Sequence, residues 1–173
     1  MIMPAGKPLL LPANPRFIAL TVVLALLLQM WVNLWGQRWM PDLMQAVLAF
    51  WLIYQPRRVG LILAFVLGLL MDVHEAALLG QNALAYVVMA FVAGLLHRRV
   101  LWFPLREQPL QVAPMFVLVA AIEWTARLWH SGMWPHWSQL LAPVLQTALW
   151  PLVAALLLTP QRRPYERDDI RPL

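Results

Sequence analysis

The stretch from Gly60 to Asp72, Gly-Leu-Ile-Leu-Ala-Phe-Val-Leu-Gly-Leu-Leu-Met-Asp, constrains the fold more than any other. Its small residues recur every fourth position, at Gly60, Ala64 and Gly68, and the next step in the series is Asp72. On a helix these four side chains share one slowly drifting stripe. The other residues are Leu, Ile, Val, Phe and Met, so the helix has no polar outer face and suits lipid or a buried core. Within a bilayer a small-residue stripe lets another helix backbone approach closely. A carboxylate at the end of that stripe is costly there and is a functional candidate. Asp72 is therefore expected to be buried and bonded to a polar neighbour, with Gln81, Asn82 and Arg127 as candidates.

Composition agrees with a membrane setting. The chain is 62% apolar and only 12% charged. Soluble domains carry roughly twice that charge fraction. The 13 Lys and Arg outnumber the 8 acids, but they sit in short clusters between apolar runs, which argues against nucleic acid as a partner. There is no cysteine, hence no disulfide framework or cysteine metal site. The first apolar run continues to Trp35 with no small-x-small site after it, which suits an uncleaved first span better than a signal peptide.

Six apolar segments can be read: 16–35, 41–54, 59–71, 80–96, 110–128 and 138–159. They predict an all-α integral membrane protein, with about six transmembrane helices in one bundle over 16–159. Residues 1–15 and 160–173 read as tails. The second and third segments are short for a bilayer that needs about 20 residues. Pro41 is expected in the first turn of the second helix, and Pro143 and Pro151 are expected to kink the sixth. Lys7, Arg16, Arg57, Arg58, Arg98, Arg99, Arg106, Arg162, Arg163, Arg167 and Arg171 fall on one side, and only Arg38 and Arg127 on the other. This bias predicts both termini in the cytoplasm. Trp31, Trp35, Trp39, Trp129, Trp134 and Trp137 then gather near the outer interface.

The polar residues of the spans also gather in the outer half. Gln29, Asn33 and Gln37 recur at helical spacing in the first helix, and Asp42 opens the second. Asp72 and Glu75 close the third, Gln81 and Asn82 open the fourth, Glu123 and Arg127 lie in the fifth, and Gln146 lies in the sixth. Three readings fit: interhelical hydrogen bonds that hold the bundle together, a cavity open to the outside, or a seat for a partner's transmembrane helix. Glu123 and Arg127, spaced i, i+4 with the acid first, are expected to share a salt bridge, and Asp72 is a second possible partner of Arg127. Catalytic signatures are missing. His74-Glu75 opens like a zinc-protease motif, but Leu78 stands where the second His is required. Neither Ser131 nor Ser138 sits in a nucleophile elbow, and no cofactor motif is present.

Trp51-Leu-Ile-Tyr-Gln-Pro-Arg-Arg-Val59, Ala64-Phe-Val-Leu-Gly-Leu-Leu-Met-Asp72 and Leu79-Gly80-Gln-Asn-Ala-Leu84 together resemble the rod shape-determining MreD family. The shared pattern is a Pro-x-Arg turn, a Phe-x-x-Gly-x-x-x-Asp segment and a Leu-Gly before the next helix. Leu149-Trp150-Pro151 and the basic tail also look like its proteobacterial members. His74-Glu75-Ala76-Ala77 departs from the Ser or Gly that family members often carry after the Asp. The resemblance implies a non-enzymatic inner-membrane component of the bacterial cell-elongation machinery. It implies MreC as partner through its transmembrane helix and, indirectly, MreB, RodA and a class B penicillin-binding protein. It also implies a fold similar to the substrate-binding subunits of energy-coupling-factor transporters, which makes a small-molecule-binding membrane subunit the alternative.

Overall fold

The structure is a computed structural model that describes residues 14–34, 40–132, 134 and 137–161. Residues 1–13 and 162–173 of the expected tails, together with Trp35, Gln37, Arg38 and Trp39, lie outside the described residues, whereas Pro15 already begins the first helix and Pro160 and Gln161 close the last in a 3-10 turn. Six α-helices follow one another: α1 Pro15–Asn33, α2 Leu43–Tyr54, α3 Leu61–His74, α4 Gln81–Trp102, α5 Gln108–Ser131 and α6 Ala142–Leu158. A 3-10 turn, Trp137–Leu141, leads into α6. No strand occurs among the described residues.

Local chemistry sets the helix starts. Asn14 accepts from the amide of Arg16 with Pro15 just behind it, and Asp42 accepts from the amide of Gln45. Pro41 therefore lies outside α2 rather than in its first turn, because Asp42 takes the cap. Pro143 falls in the first turn of α6, where a missing N–H costs nothing, and only Pro151 lies inside that helix. Another internal proline, Pro114, lies within α5. Helix α4 runs past Arg98 and Arg99 to Trp102, although a break was expected at those arginines. Basic residues suit the last turns of a helix, and Val100 keeps the inward face buried.

Four helical stretches are long and apolar enough to cross a bilayer: α1, α4, α5 and residues 139–161. The other two are short for a physical reason that differs between them. Helix α2, with 12 residues, spans about 18 Å against a hydrocarbon core of about 30 Å. It is the centre of the bundle, packed by α1, α4 and α6. Met44, Ala46, Leu48, Ala49, Phe50, Trp51 and Ile53 have no exposed surface, so protein rather than lipid surrounds it. Helix α3, with 14 residues, is peripheral and packs chiefly on α4. It turns Ile62, Phe65, Val66, Leu70 and Val73 outward and buries Ala64, Leu67, Gly68, Met71 and Asp72.

Side-chain bonds show which helix ends meet. The amide of Gln108, at the start of α5, donates to Tyr54 Oη (3.1 Å) at the end of α2 and to the carbonyl of Phe103 (3.2 Å) beyond α4. Its carbonyl accepts from Trp150 Nε1 of α6 at 3.2 Å. Phe50, stacked on Tyr54 with ring centroids 4.4 Å apart, packs beside this knot. The opposite end brings together the end of α1, the start of α2, the turn between α3 and α4, the end of α5 and the start of α6. The helices therefore alternate in direction, and the described chain begins and ends at the same end of the bundle. Arg16, Arg57, Arg58, Arg98, Arg99 and Arg106 belong to that end by sequence position, and Arg127 to the other.

Candidate functional site

The turn between α3 and α4 is built around Asp72. Its Oδ1 accepts from the amide of Asn82 at 2.7 Å. Its Oδ2 accepts from the amides of Gly80 (2.8 Å) and Ala83 (3.4 Å). These are among the free amides of the first turn of α4, and the cap residue itself is Gly80, at φ 100°, with no side chain to satisfy them. The carboxylate of α3 thus caps α4, which also places its charge at the favourable end of the helix dipole. Asp72 is buried, as expected, but its partners are backbone amides rather than the side chains of Gln81, Asn82 or Arg127.

Gly68 makes this reach possible. A Cβ built there would lie 2.7 Å from the Ala83 nitrogen and 2.8 Å from the Asn82 carbonyl oxygen, and closer still to the Ala83 Cα. The stripe is therefore a close backbone contact within the bundle at Gly68. Ala64 is buried one turn earlier. Gly60 is the cap residue of α3 and would have open space around a Cβ.

Next to this turn the same end of the bundle opens into a cavity of about 560 Å³, whose lining includes Gln29, Asn33, Asp42, Glu75, Gln81, Asn82, Glu123 and Arg127. Its wall is a chain of hydrogen bonds. Gln29 accepts from the amide of Leu43 (2.9 Å) and donates to Asn33 (3.0 Å), which donates to Glu75 (3.1 Å). Gln45 donates to Glu123 at 2.6 Å and accepts from Gln146 at 3.2 Å. Tyr86 donates to Asp42 at 3.0 Å. Arg127 pairs with Glu75, at 3.8 Å. The expected Glu123–Arg127 bridge is replaced by these two contacts, since Glu75 comes over from the end of α3 and Gln45 faces Glu123 from α2.

Of the residues singled out in the sequence, Gln29, Asn33, Gln81, Asn82, Glu123 and Arg127 all line the cavity. Asp72, Gly68 and Ala64 lie in the α3–α4 seam beside it, and Gly60 lies at the far end of α3. Gln45 and Tyr86 were not anticipated as site residues. A signal for Gln45 exists in Asp42-x-x-Gln45, the spacing of a helix start, although its amide turns to Glu123 instead of back to the cap. Trp129 and Trp134 are almost fully exposed at the cavity end, and Trp102 at the other, as indoles placed near bilayer surfaces would be.

Alternating apolar helices, a lipid-suited outer surface and a polar cavity at one end define a multi-pass helical membrane protein. The model of one family, rod shape-determining protein MreD, matches residues 13–159, and the chain belongs to that family. No curated protein and no solved structure matches it. Family and helices together make it a multi-pass inner-membrane protein associated with rod shape determination. The Phe-x-x-Gly-x-x-x-Asp and Leu-Gly elements are Phe65, Gly68, Asp72, Leu79 and Gly80, so three of the five build the cap between α3 and α4.

Proposed function

We propose that this protein is a non-enzymatic scaffold of the cell-elongation complex, holding the transmembrane helix of MreC and supporting peptidoglycan synthesis. Through MreC it serves MreB, RodA and a class B penicillin-binding protein. The observation that carries the reading is the family match across the whole bundle. The outward face of α3 supports it. Ile62 and Val73 are 83% and 70% exposed on a helix that packs chiefly on one neighbour, so a second helix has room beside it. Both termini are placed in the cytoplasm, and the cavity faces the periplasm.

Co-expression with MreC and site-specific photocrosslinking from Ile62 and Val73 tests this directly. Crosslinks to the MreC helix, together with rescue of rod shape in cells lacking the native gene, are the expected result. Rescue without any MreC crosslink or co-purification sinks the scaffold reading. The polar cavity favours one alternative, a small-molecule-binding subunit of a transporter. That reading requires stable association with a nucleotide-hydrolysing partner and no dependence on MreC.

A further inference from the structure

The cavity has an uneven balance of charge. Asp42, Glu75 and Glu123 line it, and Arg127 is the one Lys or Arg among its described lining residues. The carboxylate of Asp42 is engaged on both oxygens, one accepting from the Gln45 amide and the other from Tyr86. Glu75 accepts from Asn33 on Oε1 at 3.1 Å, but its other oxygen is held more loosely. Its Oε2 has only a 3.4 Å bond from Asn82 and the 3.8 Å contact to Arg127. With three carboxylates facing one guanidinium, such a loosely held carboxylate oxygen favours a cation.

A second, independent feature is Gln81. Its side chain is 5% exposed and lines the cavity, yet its Nε2 has no hydrogen-bond partner. A buried amide donor left unpaired is costly, and membrane bundles otherwise satisfy such groups. Gln81 lies in the first turn of α4, next to the amides that Asp72 caps. Arg127 is also a donor with capacity to spare, since a guanidinium carries five N–H groups and its ion pair with Glu75 is long. The wall thus offers surplus negative charge and, separately, unused donors.

We propose that this cavity binds a zwitterionic group: a primary ammonium that bonds to Glu75, carried on a molecule whose anionic oxygen is taken by Gln81 and Arg127. About 560 Å³ suits a headgroup or a small metabolite. A lipid headgroup and a free zwitterion present the same chemistry. The site is independent of the MreC scaffold reading, and either can fail without the other.

The test uses the full chain in detergent with phosphoethanolamine as probe and phosphocholine, which lacks ammonium N–H, as control. Saturable binding of phosphoethanolamine at least about tenfold tighter than phosphocholine supports the site. Equal binding of the two, or no saturable binding of either, overturns it. Gln81→Met guards against a misfolded variant. Removing an orphaned amide should raise the thermal midpoint of the empty protein while weakening phosphoethanolamine about tenfold. A variant that is less stable and binds unchanged would show that Gln81 is structural and overturn its role. Nanodiscs then separate the sources. A higher midpoint in phosphatidylethanolamine than in phosphatidylcholine, lost in Glu75→Gln, assigns a lipid. Detergent-state binding with no such lipid dependence assigns a soluble zwitterion.

Discussion

At the residue scale, Asp72 accounts for most of the difference between an apolar stretch and a specific turn. Its burial was legible from the stripe that ends in it, because a small-residue face must meet another backbone. Its partners were not, because backbone amides leave no side-chain signature; only Leu79-Gly80 marks where they lie. The geometry sharpens what substitution should do. Both carboxylate oxygens are used, one for Asn82 and the other for Gly80 and Ala83. Asp72→Leu leaves all of these amides unpaired. With about 1–3 kcal/mol for each of the two short bonds, the loss is roughly 2–6 kcal/mol. Asp72→Asn keeps one acceptor but aims an NH₂ at the remaining donors, so it should recover only about half of that stability. Thermal unfolding in detergent, on protein that inserts and accumulates normally, reads the order wild type, Asn, Leu. An asparagine variant as stable as wild type would mean that the second oxygen contributes nothing.

At the scale of elements, α3 and α4 form one unit in which glycine spacing and carboxylate capping depend on each other. Gly68→Ala places a methyl against the backbone of Ala83 and Asn82, which cannot yield as a flexible side chain can. The helices must separate, at a cost of about 1–3 kcal/mol, and the Asp72 bonds lengthen with them. Gly60→Ala meets open space and should be neutral in packing. The two variants therefore test whether the stripe acts as a whole or at one point. Equal thermal midpoints for Gly68→Ala and Gly60→Ala would remove the close contact from the account. Helix existence was legible throughout, since apolar runs and charged breaks alternate plainly. What could not be read was why α2 is short. Length alone cannot tell a fully buried central helix from a thin span, and only the packing of α1, α4 and α6 around it decides. The partner of Arg127 was equally hidden. Spacing along α5 offered Glu123, whereas the tertiary fold offers Glu75 from the end of α3.

For the whole molecule, alternation of the helices puts the start of α1 and the end of α6 at one end and the cavity at the other. The sidedness proposed for that arrangement rests on charge. Among the described residues every Lys and Arg except Arg127 belongs to the end where the described chain starts and finishes, and basic loops are retained on the cytoplasmic side. The polar cavity would then open to the periplasm, with exposed Trp129 and Trp134 at its bilayer surface. A periplasm-active phosphatase fused after Leu173 should be silent, and the same reporter inserted between His130 and Trp134 should be active. If the C-terminal fusion is active and the inserted one silent, the bundle is inverted and the cavity faces the cytoplasm. If both are active, the two ends of α6 share a side, and the alternation of the six helices cannot stand. Because α2 is enclosed by protein, reversing sidedness would leave its packing unchanged. The fusion pattern therefore tests the charge argument separately from the fold.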